Sequence, residues 1–274
     1  AAVNPSHEGF FCKRYNRPSS MFGFKPRLPL SEEDAQWVEQ GFDRLSRLLG
    51  RRRMLEAQMV LPDAAYFPDP YDKSEAAVEK MFLRICQYMK VERNRIDLEI
   101  FPDETRELSE ILPYWRGSSG GCAGLYFHPK DETHKMVVAL KQSQLEDPMA
   151  LVATLAHELG HVILLGDGLM DHTGKDMEPM TDLLTVFLGF GIFNANCAAR
   201  LLKWEDDRKH GWSMKSLGYL PEEVYGYALA KFAHERGEVK PDWSSHLTIN
   251  VRDYFKKSMA WLQSKSKTAN SIGS

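Results

Sequence analysis

The run His157-Glu158-Leu159-Gly160-His161 places two imidazoles and a carboxylate within five residues. On a helix, residues four apart lie about 40° apart round the axis, so both imidazoles face one side and can bind one metal ion. Glu158 lies about 100° from His157, beside such an ion rather than on it. There it can take a proton from a metal-bound water. The neighbours Leu155, Ala156, Leu159, Val162, Ile163, Leu164 and Leu165 are apolar. Polar groups buried among them need partners, and a metal ion supplies one. Gly160, with Ala153 and Ala156, lets other backbone approach this helix closely.

A zinc site needs a third protein ligand, with water in the fourth position when the site is catalytic. Glu178 and Asp182 stand four apart at the start of the next expected helix, on one face, and Pro179 is tolerable in a first turn. Glu178 is the candidate ligand. Asp182 is the candidate acceptor for the far N–H of an imidazole, that of His157, which would fix its tautomer. Asp167, Asp171 and His172 are rival third ligands.

HExxH followed by Glu178-Pro179-Met180-Thr181-Asp182 resembles the gluzincins, the thermolysin-like zinc metallopeptidases. The resemblance spans about residues 50–205 and is to a minimal core of the bacterial kind. It implies zinc held by His157, His161 and Glu178, with Glu158 as general base and Asp182 behind the ligands. The 16 residues between His161 and Glu178 fit that pattern, but Met177 stands where an Asn is common and Thr181 where a Ser is common. It also implies a Tyr or His that stabilises the oxyanion. Tyr219, Tyr225, Tyr227, His234 and His246 are available, and Tyr227 is preferred because Gly226 allows close packing. A peptide or protein substrate would lie along an edge strand, Ala123–His128 or Val137–Lys141. The metzincin pattern needs Gly where Leu164 stands, although Asp167 meets its ligand position.

The expected scaffold is α+β and zincin-like, with a small mixed α/β part before a mainly helical part. Ser31, followed by three acids, caps a helix that Gly50 ends. Met54–Leu61 reads as a strand, and Ser74 caps a second helix. Ile96, Leu98 and Ile100 alternate as in a half-buried strand. Gly117–Gly121 lacks a Walker lysine and reads as a turn into the strand 123–128. Met136–Lys141 is its hairpin partner across 129–135. Asp147-Pro148 opens the motif helix, which ends near Gly166. Further helices are expected over 178–202, from Pro221 to Gly237, and over 246–263.

The expected domains are an arm over 1–30, one catalytic domain over 31–263 divided near 146, and a disordered tail over 264–274. A net charge of −3 excludes a global basic field for nucleic acid. The basic, aromatic-rich arm, with Lys13, Arg14, Arg17, Lys25 and Arg27, reads as docking on the domain. The longest apolar run considered, Leu183–Ala199, carries Thr, Gly and Asn, so no membrane partner is expected. The first residues given carry no apolar run, so a secretory leader is not expected, and Cys12, Cys86, Cys122 and Cys197 are irregularly spaced. They read as reduced thiols of a cytoplasmic protein. Oligomeric state has no signature. Two other readings remain: a zinc-binding regulator, against which Glu158 argues, and a closed structural site with a fourth ligand such as His172.

Overall fold

The structure is a computed structural model that describes residues 26–103, 115–117, 125–129, 135–171, 176–206 and 220–272. It is an α+β chain. Helix α1 (Glu32–Leu49) is followed by the short α2 (Arg51–Leu55) and by α3 (Glu75–Met89). Four strands come next: β1 (Ile96–Phe101), β2 (Trp115–Gly117), β3 (Leu125–Pro129) and β4 (Met136–Lys141). The remainder is helical: α4 (Pro148–His161), α5 (Met177–Phe187), α6 (Gly191–Asp206), α7 (Glu222–Glu235) and α8 (Ile249–Ile272).

Capping fixes the helix starts as the sequence indicates. Ser31 Oγ accepts from Asp34 N, and Ser74 Oγ accepts from Ala77 N. Asp147 Oδ1 accepts from Met149 N and Ala150 N, with Pro148 in the first turn.

The sheet has the order β1-β4-β3-β2. β4 runs parallel to β1, pairing Ile96 with Met136, and antiparallel to β3, pairing Tyr126 with Val138. The hairpin expectation therefore holds, while the substrate-strand expectation needs correction. The described part of the first, 125–128, and the second, 137–141, fall on interior strands, and among the described residues the edges are β1 and β2. β4 is interior because it reads Met-Val-Val-Ala-Leu, apolar on both faces, and all five residues are buried.

α4 is the centre of the molecule. Every residue from Leu151 to Leu165 is buried, and the helix continues as a π-helical turn over Val162–Gly166. It packs against α3, α5, α6 and the sheet. Pro148–Gly166 is also the one helix among the described residues long and apolar enough to cross a bilayer. This corrects the choice of Leu183–Ala199 as the longest apolar run. Its window is 83% buried inside the fold, as a helix apolar all round must be in a core.

Three other expectations change. Met54–Leu61 is not a strand: its first residues close α2, and the rest is an irregular segment with Met59 and Val60 buried. The expected helix over 178–202 is two helices, broken after Phe187 at Gly189, whose φ is +89°. These two facts have one cause. The irregular segment runs through the break, where Val60 N donates to Gly189 O at 2.9 Å, and a Cβ on Gly189 would collide with Gln58 O. The final helix begins at Ile249 and runs to Ile272, through the expected disordered tail. It packs along α7, and Ser266 Oγ donates to Leu262 O at 3.2 Å and lies 3.2 Å from His234 Nε2.

Candidate metal centre

α4 and α5 pack face to face and supply every member of the site. From α4 come His157, Glu158 and His161, which are 3%, 1% and 0% exposed. From the first turns of α5 come Glu178, Thr181 and Asp182. The i,i+4 spacing turns both imidazoles toward α5, and the ring centroids are 4.9 Å apart.

Glu178 Oε2 lies 3.0 Å from His157 Nε2 and 3.3 Å from His161 Nε2. One ligand atom from each of these three residues falls within 4.8 Å of the others. Ligands about 2.1 Å from a tetrahedral ion stand roughly 3.4 Å apart. Two imidazoles and a carboxylate at this spacing can hold a metal ion. Two buried polar atoms among the described residues strengthen the fit: His161 Nε2 and Glu158 Oε2 make no hydrogen bond. Five buried side-chain polar atoms among the described residues lack a hydrogen bond, and two of the five stand together at this site.

The outer nitrogens are also partnered. His157 Nδ1 lies 2.8 Å from Asp182 Oδ1. The other oxygen of that carboxylate, Oδ2, accepts from Leu220 N at 3.0 Å. His161 Nδ1 lies 3.4 Å from Thr181 Oγ1. The His161 ring is stacked on Tyr126 of β3, with centroids 5.9 Å apart and planes 22° apart.

The electrostatics suit one positive charge between carboxylates. Burial acts to lower the His157 pKa, but the hydrogen bonds to Asp182 and Glu178 outweigh it and hold it well above the usual range. Burial acts to raise the Glu178 pKa, and the two histidines outweigh it and hold it at about 2. Glu158 is different. Burial is its largest influence, the histidines oppose it and Glu178 reinforces it, and its pKa lies above the ordinary carboxylate value. Glu178 side-chain exposure is 25%, so the group opens on the Glu178 side.

The sequence-derived set of His157, Glu158, His161, Glu178 and Asp182 is therefore brought together. Tyr227 is not. Its hydroxyl donates to Glu39 on α1 at 2.7 Å, and its ring packs on Trp261. It belongs to the seam between α1, α7 and α8. His234 faces Ser266, and the His246 carbonyl accepts from Asn196 Nδ2. Asp167 pairs with Arg95 at 2.7 Å, and Asp171 lies outside the group. Tyr219 and His172 lie outside the described residues. Thr181 and Tyr126 were not anticipated as neighbours of the histidines. Thr181 had one signal, its place directly before Asp182 on the same helix.

No protein-family model, curated protein or solved structure matches the chain.

Proposed function

We propose that this chain is a zinc-dependent hydrolase, a metallopeptidase of the gluzincin kind on a zincin-like fold. The observation that carries the reading is the division of labour among the three carboxylates. Glu178 converges with both Nε2 atoms, Asp182 stands behind His157, and Glu158 Oε2 is buried and unbonded. A protein that only held an ion would have no use for that third carboxylate.

His157, His161 and Glu178 would hold the zinc ion. When bound, the ion supplies a Lewis acid for the scissile carbonyl and lowers the pKa of a water to about 7. Asp182 fixes the proton of His157 on Nδ1, so that Nε2 keeps its lone pair. Glu158, about 100° round the same helix from His157, accepts a proton at Oε2 from the attacking water and returns it to the leaving amine. The substrate is a peptide or protein segment, and the edge it would extend is that of β2, the strand beyond β3.

The test is a broad peptide library read by mass spectrometry, with zinc-loaded parent and Glu158→Gln compared. The parent should cleave. The variant should bind zinc and lose about 10²–10⁴-fold in turnover, the usual contribution of a general base. A parent that is fully zinc-loaded and cleaves nothing supports a regulatory metal protein instead. Equal cleavage by both proteins would move the base elsewhere.

A further inference from the structure

The two histidines are supported by different chemistry. Behind His157 stands the carboxylate of Asp182, whereas behind His161 Nδ1 stands the hydroxyl of Thr181. Thr181 has no exposed surface. A hydroxyl offers one proton and two lone pairs, and the proton of Thr181 is donated to Met177 O at 2.9 Å. What Thr181 presents to His161 is therefore a lone pair. An acceptor at that place keeps the ring proton on Nδ1. It leaves Nε2, 3.3 Å from Glu178 Oε2, as the atom with the lone pair. At 3.4 Å the contact is at the long end for a hydrogen bond, as is common in sites that tighten on binding.

The direction of that hydroxyl has a structural cause. A Cβ on Gly160 would come within 2.7 Å of Thr181 Cγ2. The threonine methyl thus lies over the bare Cα of Gly160. Threonine is branched at Cβ, so methyl and hydroxyl turn together about χ1. Holding the methyl in the space above Gly160 also holds the hydroxyl toward His161. A residue inside the HExxH run and a residue beside Asp182 thereby form one device, which positions the ring that Asp182 does not reach.

We propose that Thr181 is a positioning residue of the metal centre, selecting the His161 tautomer whose Nε2 faces the ion, with Gly160 fixing its rotamer. This rests on the metal-centre reading above and is independent of peptidase activity.

The experiment measures zinc affinity by chelator competition for the full chain and four variants: Thr181→Val, Thr181→Ser, Gly160→Ala, and Gly160→Ala with Thr181→Ser. Melting temperatures in excess chelator report the fold without the ion. Thr181→Val keeps the shape and loses the hydroxyl, and it should weaken zinc binding about 10–100-fold, as loss of a partner behind a ligand does. Thr181→Ser keeps the hydroxyl and its bond to Met177 O but frees the side chain of the methyl, so it should weaken binding less than Thr181→Val does. Gly160→Ala should weaken binding by displacing the methyl, and the double variant, which has no methyl to displace, should recover most of the loss. A merely structural threonine would lower the melting temperature in chelator and leave affinity unchanged. Parent-like affinity in Thr181→Val overturns the role of Thr181 while the centre stands. A parent that binds no zinc overturns the centre itself and Thr181 with it. Should Thr181→Val not fold, the Gly160→Ala pair decides, because no recovery in the double variant contradicts the device.

Discussion

Both oxygens of Asp182 are occupied, one by His157 and one by the Leu220 N–H that leads into α7. Asp182→Asn keeps the size but replaces one acceptor with a donor. Zinc affinity should fall about 10–100-fold with the ion still bound, measured by chelator competition. An unchanged affinity would reduce Asp182 to a link between α5 and α7. At this scale the sequence was informative where spacing alone sets direction. His157 and His161, or Glu178 and Asp182, share a face because a helix repeats every 3.6 residues. It was silent where direction depends on how two elements meet. Gly226 does permit a close approach, but to Tyr254 and Phe255 of α8, and that turns Tyr227 toward Glu39 rather than the histidines. The same dependence hid the stacking of Tyr126 on His161.

The break between α5 and α6 determines how α4 is enclosed. Gly189 has φ +89° and a neighbouring carbonyl, Gln58 O, in the space a side chain would use. Gly189→Ala should destabilise the fold by roughly 1–3 kcal/mol or more, because the strained φ and the collision act together. Urea unfolding in chelator would measure this without metal linkage, and parent-like stability would contradict the account of the break. Apolar residues continue through Leu188 and Phe190, so periodicity alone cannot mark the stop. Met54–Leu61 departs from the expected strand for a related reason. Buried apolar residues mark burial, and strand character needs a neighbouring strand; here Val60 N donates to Gly189 O, and the carbonyls of Met54, Leu55 and Ala57 accept from Arg236. In the expected tail, α8 meets α7 at Ser266, beside His234 near the end of α7, a contact that a polar, serine-rich sequence does not announce.

Across the molecule, one hydrophobic core joins the α/β and helical parts, with α1 packed on both α5 and α7. The α+β class was legible because helix and strand periods differ and the caps are strong, whereas strand order was not, since nothing local to β3 marks it as interior. Cys86 is buried in this core, and burial pushes its thiol up to about 12. Above its ordinary pKa the unfolded thiol loses its proton while the folded one keeps it. Stability should therefore fall as pH rises from about 9 to 12, by at most about 1.4 kcal/mol per unit for this group. Denaturant melts across that window should show a shallower slope in Cys86→Ala, and identical slopes would contradict the burial argument. The ion should stabilise the whole fold as well. Zinc at a thousand times its dissociation constant adds about 4 kcal/mol, so chelator should lower the melting temperature of the parent and leave that of His161→Ala unchanged.

The central claim is that His157, His161 and Glu178 together hold one metal ion while Glu158 does not. The most direct measurement is zinc content per chain, by elemental analysis, of the purified parent and of Glu178→Ala and Glu158→Gln, after equal loading and dialysis. The account predicts one zinc per chain in the parent and in Glu158→Gln, and a sharp loss in Glu178→Ala. Full occupancy in Glu178→Ala, or an empty parent, would contradict it.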